Sequence, residues 1–173
     1  MARGNKSHHT DPLTEALSHS AFQVDLRSRA TGLPAHHKLG VAVLDIDNFS
    51  NFNETHGYTQ GDALLKGLAS TVCSMLRPTE VLGRLGGDEF GVLIPCVSAE
   101  GIAQTLLSVA DTLAIEGITP ADSRAPIPIR LNYGYAVMPD DTSDPREALS
   151  LAWARLVANR SMHPGVHWAL ELR

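Results

Sequence analysis

Two β-prone runs, Val81-Leu82-Gly83-Arg84-Leu85 and Gly91-Val92-Leu93-Ile94, are separated by little more than Gly86-Gly87-Asp88-Glu89. That spacing predicts a tight hairpin, with glycine supplying positive φ at its turn. A hairpin tip is normally polar and expendable. This one exposes backbone without Cβ atoms at Gly86 and Gly87 and then presents two adjacent carboxylates, Asp88 and Glu89. Those are the parts needed to hold a magnesium-bound phosphate ester against a strand end.

A second acidic cluster gives the first its meaning. Val41-Ala42-Val43-Leu44 is an unbroken apolar run, the mark of a strand buried on both faces. It closes in Asp45-Ile46-Asp47, which puts the two acids on one side of the strand and Ile46 on the other. One acid at a strand end is an ordinary solvated terminus or helix cap. Two acids on the same side, with a separate Gly-Gly-Asp-Glu turn downstream, point to a divalent-metal site.

Helical periodicity falls on either side of these strands. Phe22, Leu26 and Ala30 predict a helix ended by Gly32-Leu33-Pro34. Asp62 to Leu76 carries an apolar stripe through Leu64, Leu65, Leu68, Val72 and Met75 and is stopped by Pro78. Ile102, Leu106, Val109, Ala110 and Leu113 mark another helix, and residues 117–128, with three prolines, a loop. A strand is expected over 129–137. A last helix opens on Asp144 as cap, Pro145 in the first turn and Glu147 at the capping-box position, and 166–170 reads as a closing strand. The expected fold class is α/β (α+β): a mixed sheet of about five strands with helices packed on it. Residues 1–10, polar and aperiodic, read as a flexible tail, with one domain over 11–173.

The chain has 173 residues and a net charge of −5, which disfavours a nucleic-acid polymer as ligand, since that wants a basic face. A nucleotide remains compatible if a metal ion carries the compensating charge. Cys73 and Cys96 fit no ligand or redox spacing and read as buried thiols of a reducing compartment. No segment reads as a signal peptide or membrane span, so the cytoplasm is the expected location. The histidines, from His8-His9 to His167, are assigned no role.

Together these elements resemble the GGDEF domain, the catalytic domain of diguanylate cyclases. The family's early Asp-x-Leu-Thr-x-x-Leu element appears as Asp11, Leu13, Thr14 and Leu17. Its strand-and-loop element appears as Asp45-Ile46-Asp47-Asn48-Phe49, followed by Asn53, Gly57, Gly61 and Asp62, and the signature turn is intact. The resemblance runs from Asp11 to about Gly165. It implies a palm-like, ferredoxin-related fold and a reaction joining two GTP into cyclic di-GMP with release of two pyrophosphates. It further implies Mg2+ (or Mn2+) held by Asp45, the Ile46 carbonyl and Asp88, and help with deprotonation from Asp88 and Glu89. Gly86 and Gly87 would let nucleotide lie on the backbone, and the amides of Asn48 and Phe49 would face phosphate. Catalysis in the family takes a homodimer, each copy giving half of the composite site.

Guanine choice is expected of Asn53 and Asp62: a carboxylate accepts from N1–H and N2–H together, and an amide reaches O6 and N7. Each also has a plainer reading, Asp62 as a helix cap and Asn53 as part of a turn-rich loop. Two departures from the family pattern bear on activity. The phosphate-side lysine becomes Arg160, the arginine after it is lost to Pro164, and Ser50 replaces another lysine. The Arg-x-x-Asp product-inhibition site becomes Arg77-Pro78-Thr79-Glu80, a degenerate version. The expectation is a weakly active cyclase. The alternatives are a degenerate module that binds GTP or cyclic di-GMP and regulates a partner, and a cyclase that accepts ATP.

Overall fold

Every residue of β1 (Lys38–Ile46) after Lys38 is buried, as its unbroken apolar run requires. The computed structural model describes residues 9–96, 98–120 and 125–162. Along β1 the two-residue period sends Ala42, Leu44 and Ile46 into one core and Leu39, Val41 and Val43 into two clusters on the opposite face. On the first face lie α3 (Tyr58–Met75) and α4 (Ala99–Ile115), which bring Leu64, Leu65, Leu68, Ile102 and Leu106. On the second lie α1 (His19–Thr31) and α5 (Pro145–Met162), which bring Phe22, Leu26, Ala148, Ala152 and Leu156. Asp45 is odd-numbered, so it follows Val43 onto the α5 face.

The sheet has the order β2-β3-β1-β4, with β2 (Val81–Gly86), β3 (Glu89–Cys96) and β4 (Leu131–Met138). Its three pairings are antiparallel, and a lone parallel bridge joins Leu17 to Gly83. Two β-α-β crossovers, β1 to β2 and β3 to β4, each skip one strand position, which is the split ferredoxin-like arrangement. The sheet therefore has four strands where about five were expected; the expected closing strand over 166–170 lies outside the described residues.

Several local expectations change. The chain after β1 is not a turn-rich loop but α2 (Phe49–His56), and α3 begins at Tyr58, ahead of Asp62. Asp62 therefore lies inside a helix rather than at its cap, which is Gly57. Cys73 is exposed and Cys96 half-buried, neither being the buried thiol expected. Leu64, Leu65, Leu68, Ala69 and Val72 turn α3 inward, and Cys73, one position beyond Val72, rotates to the outer face. Among the described residues, no helix is long and apolar enough to cross a membrane.

The hairpin forms, but not through left-handed glycines. Neither Gly86 nor Gly87 has φ in the positive region, which glycine occupies at Gly57 and Gly117. The register instead slips between Arg84 and Gly86, and that irregularity adds the twist needed to turn the strands. Farther back, Gly83 and Gly91 are register partners, and a Cβ on either would stand within 2.6 Å of the Phe22 ring. Paired glycines thus make the seat in which α1 packs its fully buried phenylalanine against the hairpin.

A carboxylate site at the end of β1

Asp45 pairs in register with Glu89 on β3 and with Asn132 on β4, so the end of β1 is flanked by polar side chains on both sides. The Asn132 amide donates to Asp45 Oδ2 and to Asp47 Oδ1, each at 3.4 Å, and so links the two acids on their shared side. The Asp47 amide donates to the Arg130 carbonyl at 3.0 Å, which keeps the β1–β4 pairing going past the strand end. From α5, Arg160 sets Nη2 2.8 Å from Asp45 Oδ2.

Asp45 is 3% exposed. Its carboxyl is raised to about 6: burial pushes it up most, the Arg160 charge and the Asn132 hydrogen bond pull it down in part, and the charges of Asp88 and Glu89 add to the rise. Asp45 thus feels the charges of both turn acids. Gly86 has a concrete use here, because a Cβ on it would stand 2.9 Å from Glu89 Oε2. A Cβ on Gly87 would meet nothing within 4 Å, which leaves the turn backbone open.

The turn is braced from far away in the chain. Arg84 donates to the Gly87 carbonyl through Nε at 3.0 Å and Nη2 at 2.7 Å, and through Nη1 to Asp11 Oδ1 at 3.1 Å. Asp11 Oδ1 also accepts from the Thr14 amide and hydroxyl at 2.9 and 2.8 Å. Burial raises the Asp11 carboxyl, but these Thr14 and Arg84 hydrogen bonds outweigh it and hold the group below its usual range. Asp11 and Thr14 thereby acquire a structural role as an anchor for the signature hairpin.

Asn48, in left-handed backbone at φ 57°, turns the chain from β1 into α2 and makes no side-chain cap. The residue type is among the few that adopt this conformation readily. Phe49 packs half-buried against the core and stacks on Phe52 at 6.5 Å. Asn53 Oδ1 is buried without a hydrogen-bond partner, pressed on Gly61 so closely that a Cβ there would lie 1.8 Å away. Asp62, exposed, follows Gly61 on α3, one residue from the Asn53–Gly61 contact between α2 and α3.

Glu80 immediately precedes β2 at its far end from the turn, six residues or about 20 Å of strand from Gly86, and Arg77 lies farther back. Glu80 is 7% exposed and turned inward, its Oε2 accepting the Arg77 amide at 2.7 Å. The expected residues thus divide into the Asp45, Ile46, Asp88, Glu89 and Arg160 cluster, the α2–α3 seam, and this separate pair. Asn132 and Arg84 were not anticipated. Pro164 lies outside the described residues.

Magnesium would suit this donor set. Among the described residues no three His, Cys, Asp or Glu side chains converge into a metal cage. The protein can offer a partial shell of hard oxygens, which is how magnesium is usually held beside phosphates. A 3% exposed carboxylate whose cationic partner is a half-exposed guanidinium would also suit a small cation.

A family model described as diguanylate cyclase, GGDEF domain, matches residues 8–163. The chain is 39% identical over 105 residues, 58% of its length, to the probable diguanylate cyclase DgcE of Escherichia coli K12. It is 32% identical over 144 residues, 78% of its length, to the cyclic di-GMP phosphodiesterase PdeR of the same strain. It spans 10% of the first relative and 20% of the second. Among solved structures, the GGDEF domain of DgcB from Caulobacter crescentus, in complex with c-di-GMP, superposes with a TM-score of 0.78 at 27% identity, covering 94% of each chain.

Proposed function

The chain belongs to the GGDEF domain family, and from that premise we propose that it condenses two GTP molecules into cyclic di-GMP and two pyrophosphates. The observation carrying this reading is the buried Asp45 carboxylate, set in register beside Glu89 and sharing its field with Asp88. In each half-reaction a 3′-hydroxyl oxygen bonds to the α-phosphorus of the other nucleotide, the bond from that phosphorus to the β-phosphate bridge breaks, and the hydroxyl proton leaves. Asp88 and Glu89 are the proton acceptors at hand. Mg2+ or Mn2+, held by Asp45, the Ile46 carbonyl and Asp88, would supply positive charge to the triphosphate. Gly86 and Gly87 admit the nucleotide to the backbone, the amides of Asn48 and Phe49 face phosphate, and Arg160 contributes the cation of that side. Asn53 and Asp62 read guanine. Two copies complete the composite site, in the cytoplasm.

Purified protein incubated with GTP and Mg2+ or Mn2+ should yield cyclic di-GMP by mass spectrometry, and ATP alone should yield no cyclic dinucleotide. A second reading, a GTP- or cyclic di-GMP-binding regulator, is favoured by the absence of a lysine at Ser50 and by the engagement of Arg160 with Asp45. Saturable GTP binding without product at high protein concentration would establish it instead. Product inhibition should be weak, since the Glu80 carboxylate is buried and turned inward, with Oε2 accepting the Arg77 amide. Cyclic di-GMP added in excess over enzyme is expected to change the initial rate by less than about twofold, equivalent to under 0.5 kcal/mol. A steep loss of rate would show that Glu80 turns outward to meet the product.

A further inference from the structure

The Arg160–Asp45 pair joins groups of unequal freedom. Asp45 is 4% exposed at its side chain and fixed in the sheet, whereas the Arg160 side chain is 46% exposed at the end of a helix. That helix is held without Arg160. Asn159 Nδ2 donates to the Tyr133 carbonyl at 2.9 Å, and Arg155 donates to the Tyr135 carbonyl at 2.8 Å while gripping both Asp141 oxygens at 2.7–2.8 Å. These bonds bind α5 to β4, an edge strand of the sheet, and leave the guanidinium of the next residue free to move on a fixed base.

A guanidinium 2.8 Å from Asp45 Oδ2 already places a positive charge on one of the two oxygens that this carboxylate could offer a divalent cation. Two cations cannot share that position without strong repulsion. We infer that Arg160 is a tethered counter-cation that covers Asp45 until an anionic triphosphate draws it away, so that divalent cation and nucleotide bind cooperatively through this one side chain. The nature of the triphosphate rests on the reading above; the covering of Asp45 does not. A phosphate offers the guanidinium two oxygens in matching geometry, so the arginine has an alternative partner when nucleotide arrives. Reciprocity of linkage then requires the metal to favour nucleotide by the same factor that nucleotide favours metal.

The test is Mn2+ binding without nucleotide, followed by the electron paramagnetic resonance of free Mn2+. Arg160→Gln should bind Mn2+ about tenfold more tightly than the unaltered protein. Arg27→Gln, an equal change of net charge on α1, should bind as the unaltered protein does. A non-hydrolysable GTP analogue should then improve Mn2+ affinity more in the unaltered protein than in Arg160→Gln. Equal, weaker or undetectable Mn2+ binding by Arg160→Gln without nucleotide overturns the inference, as does equal gain with the analogue. Because the readout is metal binding, failure to make cyclic di-GMP would sink the enzyme reading alone and leave this coupling standing.

Discussion

Replacing Asp45 by asparagine is expected to make the protein more stable at pH 7.5 while removing the cyclic di-GMP synthesis proposed for it. Burial, with Asp88 and Glu89 adding to it, lifts the Asp45 carboxyl from 3.8 to about 6 against the pull of Arg160 and Asn132. The folded state therefore holds this proton more tightly than the unfolded chain. Between pH 3.8 and about 6 the unfolded chain has released the proton and the folded one has not, so stability falls as pH rises through that window. Above it the loss is complete and amounts to about 2–3 kcal/mol. Asparagine keeps the shape and carries no charge, so the variant escapes this cost. Its thermal midpoint should match that of the unaltered protein near pH 4 and exceed it by roughly 5–10 °C at pH 7.5. Cyclic di-GMP formation should drop on the order of a hundredfold or more, as for loss of a principal electrostatic group. Melting curves that run parallel across pH 4–8 would show that Asp45 is not strained by its burial. A gain of stability with loss of chemistry is what a site built against the preferences of the core should give.

How far such a site can be read from residues alone depends on the range of the forces that build it. Asp45 and Asp47 were legible because the two-residue period of a strand is local, and the hairpin because two β-prone runs flank its turn. The same local logic misjudged the stretch after β1. Phe-Ser-Asn-Phe-Asn-Glu-Thr-His is poor in helix formers, yet folds as α2 by stacking Phe49 on Phe52 and seating Asn53 on Gly61. Asn132 gave no signal at all. An asparagine between Leu131 and Tyr133 is unremarkable in sequence, and it matters only because the β1–β4 register sets it opposite Asp45. Arg84 likewise gains its role from Asp11, across the whole first crossover. The resemblance to a known family supplied Arg160 as a phosphate ligand, but its pairing with Asp45 depends on where α5 lies, which no local pattern encodes.

The placement of α5 can itself be tested at Gly134. This residue sits on β4 in register with Val43, and a Cβ added there would stand 2.3 Å from the Ala152 carbonyl oxygen and 2.3 Å from the Leu156 amide nitrogen. Both are backbone atoms of α5, so no rotamer change relieves the clash; the whole helix must lift. Lifting it opens the packing of Val43, Ala152 and Leu156, all fully buried. It also stretches the bonds from Arg155 and Asn159 to the β4 carbonyls. Gly134→Ala should therefore destabilise the protein by about 3 kcal/mol or more, at the upper end of overpacking costs. That corresponds to a fall in thermal midpoint of roughly 6–12 °C. Gly101→Ala is the matched comparison: its Cβ would meet nothing nearer than Ser98 Oγ at 3.8 Å, and within α4 it should stabilise by about 0.5–1 kcal/mol. The lifted helix carries Arg160 with it, so Gly134→Ala, where it remains folded at low temperature, should bind Mn2+ without nucleotide more tightly than the unaltered protein. A midpoint within a degree of the unaltered protein would mean that α5 does not rest on Gly134, and the tether from Arg160 to Asp45 would lose its foundation.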